Sequence, residues 1–146
     1  MQRIIASHFH IWDPSVQPLS WLDGTDGSIT RRYDMDCLKR AYASYNEHHP
    51  DAAVNFIGGV YVEVDTDDTS LEDRLLSENH DPLLLATSMR STVGPAMRMP
   101  LYAHGVREPL HTPASPRGRC LQDDFIRGLQ LMADKNMPFD ACVRVD

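Results

Sequence analysis

No stretch of this sequence is long and apolar enough to span a bilayer. Its first 30 residues carry Arg3, His8, His10 and Asp13 where a signal peptide would need an apolar core. The expected compartment is the cytoplasm, with no membrane partner. Cysteine is scarce: Cys37, Cys120 and Cys142 are odd in number, widely spaced and form no C-x-x-C pair, so neither a disulfide framework nor a zinc ribbon is expected. Free thiols are expected, with Cys142 in the core. Positive charge is also in deficit, 14 Lys and Arg against 21 Asp and Glu, and it forms no long basic run. That argues against nucleic acid or an anionic surface as the main partner. Internal repeats, low-complexity tracts, a P-loop, a Rossmann glycine pattern and a Ser-His-Asp order are all missing.

What is present suits one folded domain. The 146 residues are 42% hydrophobic and 24% charged, ordinary for a globular chain with a real core. The stretch that organises the rest is Ile4-Ile5-Ala6-Ser7-His8-Phe9-His10-Ile11-Trp12-Asp13. As a strand it would alternate faces, setting His8 and His10 on one side with Ile4 and Ala6, and Ile5, Phe9 and Ile11 on the other. Two imidazoles on one face at a strand tip can polarise an anionic oxygen or hold a metal. They can equally be two histidines hydrogen-bonded at a strand end.

A turn-rich loop follows, anchored by Trp21 and Leu22. Leu38, Ala41, Tyr42 and Tyr45 then fall at helical spacing, predicting an amphipathic helix over 34–49, capped by Asp34 or Asp36 and ended before Pro50. Residues 54–65 are the clearest strand, and Gly58-Gly59 within it predicts a bulge or a close backbone approach. Ser70 reads as the start of a short helix to about Glu78. Leu83 to Ala86 reads as a fully buried strand with Arg90 at its end. Residues 93–104 are a short helix or an irregular loop, 105–108 a short fourth strand, and 109–119 a loop. Residues 123–136 form a helix with Phe125, Ile126, Leu129, Met132 and Ala133 on one stripe, and 139–143 a fifth strand. Strand and helix alternate, which implies an α/β fold with a parallel sheet.

Ser7-His8-Phe9-His10-Ile11-Trp12-Asp13, Leu19-Ser20-Trp21-Leu22, Val60-Tyr61-Val62-Glu63-Val64, Gly105-Val106-Arg107, Leu110-His111, Phe125-Ile126-Arg127-Gly128-Leu129 and Phe139-Asp140-Ala141-Cys142-Val143 together resemble the amidohydrolase-related lactonase branch of the amidohydrolase superfamily. That branch includes 2-pyrone-4,6-dicarboxylate lactonase and sugar-lactone hydrolases. The resemblance implies a (β/α)₈ TIM barrel with its site at the C-terminal strand ends. Such a barrel takes roughly 250 residues, so 1–146 corresponds to the N-terminal portion of one barrel domain, about the first five of eight strands. The family's general-base aspartate and further histidines match no position here.

The resemblance implies a hydrolase acting on a lactone or related ester of a small organic or sugar acid, with His8 and His10 polarising the carbonyl. The same pair can instead ligate one divalent metal such as zinc, as in metal-dependent amidohydrolases and decarboxylases, with Glu63 orienting a ligand or merely capping the next turn. Arg90 and Arg107, at strand ends, and His111, after the fourth strand, are candidate substrate-binding residues, because guanidinium forks suit a carboxylate. Arg117 and Arg119 read as solubilising. A rival reading is a non-catalytic partial barrel that binds a ligand or pairs with another chain, including a second copy, to cover its open edge.

Overall fold

The computed structural model describes residues 1–144. The chain divides into two compact units, Met1–Ala86 and Thr87–Asp146. Among the described residues are strands β1 (Gln2–Phe9), β2 (Val54–Val62), β3 (Leu84–Arg90) and β4 (Gly105–Arg107), with helices α1 (Met35–His48), α2 (Thr69–Ser77) and α3 (Asp123–Asp134). The strands run in the order β1-β2-β3-β4, and β1 with β2 and β3 with β4 pair in parallel. This is a parallel α/β arrangement consistent with a partial (β/α)₈ barrel. No helix among the described residues is long and apolar enough to cross a membrane.

In the first unit, α1 begins where expected because the Asp34 side chain accepts the Cys37 N–H, filling one of the donors a helix leaves unpaired at its start. It stops before Pro50, and its last turns hold the next strand: Asn46 both donates to the Val54 carbonyl and accepts its N–H, each at 2.8 Å. Tyr42 stacks flat on Phe56 at 4.3 Å between ring centres. The cap of α2 is Asp68 rather than Ser70. Its carboxylate takes both the Ser70 and Leu71 N–H groups, so the cap lies two residues earlier than the hydroxyl pattern suggests.

Gly58 and Gly59 are both required. The β1–β2 register slips between Ile4 and Ala6, and Gly58 sits at a φ of 125°. A Cβ on Gly58 would lie 2.6 Å from the Leu83 carbonyl, and one on Gly59 2.6 Å from that of Ala6. The bulge and the close approach are thus one feature. A second slip between Ala6 and Phe9 disturbs the expected alternation in β1: Phe9 is buried, whereas Ile5 is exposed.

Two expectations fail in the second half of the sequence, and one open alternative is decided. β3 is not fully buried: Leu85 is exposed, and its buried stretch is Thr87-Ser88-Met89. Residues 93–104 form an irregular loop, not a helix. The fifth strand reduces to one parallel bridge, Val106 with Phe139, carried by hydrogen bonds from Val106 to Pro138 and from Asp140 to Val106.

The second unit packs Val93, Val106, Leu110, Phe125 and Met132 into one core. α3 reaches it through Phe125, Gly128 and Met132, while Ile126 faces solvent. Gly128 lets the helix close onto Val93-Gly94, where a Cβ would lie 2.4 Å from the Gly94 nitrogen. Arg119 does not solubilise a loop. It is buried, donates to Glu108, Asp124, Gln122 and the Val93 carbonyl, and lies over the Phe125 ring. The loop wraps around this one side chain because a buried guanidinium needs its donors filled.

Candidate functional site

β1 delivers His8 and His10 to its C-terminal tip, and the two rings meet edge to face with their Nε2 atoms 2.9 Å apart. His10 Nδ1 lies 2.9 Å from the Val62 carbonyl at the end of β2. A carbonyl can only accept, so His10 carries its proton on Nδ1 and, when neutral, presents a bare Nε2 to His8. Two nitrogens bound to one tetrahedral zinc would stand roughly 3.3 Å apart, taking about 2.05 Å for each bond. The observed 2.9 Å is a hydrogen-bond distance, so the rings would part by about 0.4 Å to share a metal, and a backbone carbonyl behind Nδ1 is the usual support for a metal-binding imidazole. The pair therefore fits as part of a ligand set. Among the described residues, no group of three His, Cys, Asp or Glu side chains gathers to complete one.

The end of β2 that orients His10 is held from several sides. The Val64 N–H and the Tyr61 hydroxyl both donate to Glu72 Oε1, at 3.1 and 2.5 Å, and Trp21 Nε1 donates to the Val64 carbonyl at 2.7 Å. Glu72 is fully buried. Burial pushes its carboxyl up to about 7, and nearby Glu63 and Asp73 add to the rise, against the pull of the Tyr61 and Val64 hydrogen bonds. Burial also pushes the Tyr61 hydroxyl well above its ordinary range. Glu63 is buried too, and its Oε2 accepts the Asp65 N–H at 2.8 Å, bracing a left-handed turn at Asp65. Trp12 forms a two-way backbone bridge with Tyr33 and donates Nε1–H to the Ile29 carbonyl, which closes the loop after β1.

In the second unit, Arg90 and Arg107 are register neighbours on β3 and β4. Arg107 is buried and engaged with Asp140, through Nη2 at 2.8 Å and Nε at 3.0 Å. That ion pair ties β4 to the segment after α3. His111 Nδ1 lies 3.1 Å from the Cys142 sulfur, so Cys142 is half-buried against a histidine and not in the core.

A cleft of ≈ 670 Å³ opens beside His10, and reading the sequence alone does not reveal it. Arg31, Arg32 and Arg40 line it with Tyr33 and Asp34. The signals in the sequence that bear on it are the Arg31-Arg32 dipeptide and Arg40, about a turn and a half into a helix capped by Asp34.

No protein-family model and no curated protein sequence matches the chain. Solved structures do. Amidohydrolase 2 from Bifidobacterium longum subsp. infantis matches at 50% identity and a TM-score of 0.87, over 99% of this chain and 53% of that one. An amidohydrolase from Burkholderia multivorans solved with bound zinc matches at 19% identity and a TM-score of 0.69, over 95% of this chain and 48% of that one. An amidohydrolase from Burkholderia multivorans solved with bound HEPES matches at 16% identity and a TM-score of 0.68, over 98% of this chain and 49% of that one. At these lower identities the likeness is one of fold. The chain spans about half the length of the solved structures it matches, and its likeness to amidohydrolases beyond fold rests on the half-identical Bifidobacterium longum subsp. infantis neighbour.

Proposed function

We propose that the chain contributes one side of a hydrolase active site acting on a lactone or related ester of a small organic or sugar acid. The observation that carries this reading is the convergence of His8 and His10 Nε2 at a strand tip, with the His10 tautomer set by Val62. When the pair holds one extra proton, each ring carries an Nε2–H, and a turn out of their mutual hydrogen bond would bring both donors to one oxygen. That is the donor arrangement a carbonyl oxygen needs as it gains charge during attack by water. In this reading, water activation falls to a carboxylate in the half of the fold that the chain does not span. The cytoplasm is its compartment, in keeping with three free cysteines. A small-molecule acid or lactone is its ligand, and a second copy of the chain is a candidate partner.

A second reading rests on the same convergence. With both Nε2 atoms deprotonated, His8 and His10 present two lone pairs, and the Burkholderia multivorans neighbour was solved with zinc. A divalent metal held there would polarise the carbonyl as a Lewis acid. Residues outside this chain would complete its ligands, and the protein would act as a metal-dependent amidohydrolase or decarboxylase.

Sugar-acid lactones assayed with the native protein, a His8→Ala variant and chelated protein separate these outcomes. Loss of turnover in His8→Ala with survival after chelation supports the oxyanion role. Loss in both, with stoichiometric zinc or manganese in the untreated protein, supports the metal. Unchanged turnover in His8→Ala removes the histidines from the chemistry.

A further inference from the structure

The cleft beside His10 concentrates positive charge in a chain that is otherwise short of it. Three guanidiniums, Arg31, Arg32 and Arg40, line it against the single carboxylate of Asp34, whereas the whole chain carries −7. Charge placed for solubility spreads over a surface; these three surround one concavity.

Their existing bonds leave most of that charge unspent. Arg32 is the neutralised member, 3.0 Å from Asp34 and 3.8 Å from Asp13. Arg31 is held by the Tyr33 hydroxyl at 2.9 Å, with its guanidinium 5.0 Å above the Tyr33 ring. Arg40 donates to the Cys37 sulfur at 3.0 Å, a weak acceptor. Among the described residues neither Arg31 nor Arg40 forms an ion pair at contact distance, and Arg40 acts on the Asp34 carboxylate only at longer range. A guanidinium has five N–H donors, so each retains a free edge while an aromatic ring or a thiol positions it. Leu38 and Ala41 add an apolar wall, and ≈ 670 Å³ lies in the range of small-molecule sites.

We propose that Arg31, Arg32 and Arg40 form a carboxylate-binding subsite beside His10, which seats a spectator carboxylate of the substrate while the histidine pair meets the reacting carbonyl. The substrate class narrows accordingly to lactones or esters of acids that keep a free carboxylate. Arg31 and Arg40 supply the binding forks, and Arg32, tethered by Asp34, holds the cleft's edge. The catalytic half of this statement rests on the function proposed above; the anion site does not.

The test is calorimetric titration of the protein with tricarballylate at low salt, alongside NMR of the arginine Nε–H groups. Because tricarballylate is not a substrate, the result is independent of hydrolysis by His8 and His10, and the two proposals fail separately. Binding should shift the Arg31 and Arg40 signals. Arg31→Gln and Arg40→Gln, both at exposed positions compatible with folding, should each weaken binding about tenfold, the effect of losing one charge-assisted hydrogen bond. Arg40→Lys should recover only part of it, because an ammonium cannot form the planar fork. Absence of binding, or binding indifferent to both Gln variants, overturns the subsite. Sulfate binding as tightly, with the same arginine dependence, overturns its assignment to carboxylates.

Discussion

Replacing Glu72 with Gln removes a titration from the middle of the first unit and keeps the acceptor that Tyr61 and Val64 use. The carboxyl sits near 7 when folded, against an ordinary value of 4.5. An acid that holds its proton longer when folded stabilises the fold least where it must ionise. The native protein therefore loses stability as pH rises from about 4.5 to 7, and the loss is complete above that. At 1.36 kcal/mol for each pH unit of separation, the loss is about 3 kcal/mol. Urea unfolding of native protein and Glu72→Gln at pH 5 and pH 8 measures it. The variant should gain about 2.5 kcal/mol relative to native on going from pH 5 to pH 8, because part of the loss already lies below pH 5 and the background pH dependence cancels in the difference. Parallel pH profiles would show that Glu72 ionises normally, and that the end of β2 behind His10 is not built on a buried neutral acid.

His10→Ala should abolish lactone hydrolysis with little change in thermal stability, since the ring is exposed and its removal costs chiefly the bond to Val62; turnover within twofold of native would count against the pair. Gly59→Ala should destabilise by about 2 kcal/mol or more, read from the urea midpoint, because the Ala6 carbonyl at 2.6 Å belongs to a paired strand and cannot move aside cheaply. Arg119→Met should cost about 3 kcal/mol by leaving the half-buried Glu108 without its cation and removing a buried guanidinium's contacts; a thermal shift of under 2 °C would contradict the account of that loop. Asn46→Ala should cost about 1 to 3 kcal/mol by leaving both polar groups of Val54 short of a partner, visible as faster hydrogen exchange at the Val54 amide.

Local chemistry was legible from the residues alone. The Asp34 cap, the stop before Pro50, the positions of all three helices and the meaning of Gly58-Gly59 follow from backbone stereochemistry and from donors that must be filled within a few residues. The placing of His8 and His10 together at the first strand tip is of the same kind. What went astray depended on neighbours distant in sequence. Ile126 lies on the helical stripe but faces solvent, because α3 approaches its core through Gly128. Arg119 looked like a surface charge until Glu108, Asp124 and Val93 were brought around it. Residues 139–143 have strand composition, yet one bridge to Val106 is all that forms. Tertiary structure alone decided which arginines are spent and which are open. Arg107 meets Asp140 across 33 positions of sequence, whereas among the described residues Arg31 and Arg40 form no ion pair at contact distance and line a cleft. Charge partners are set by distance in space, which periodicity along the chain does not encode.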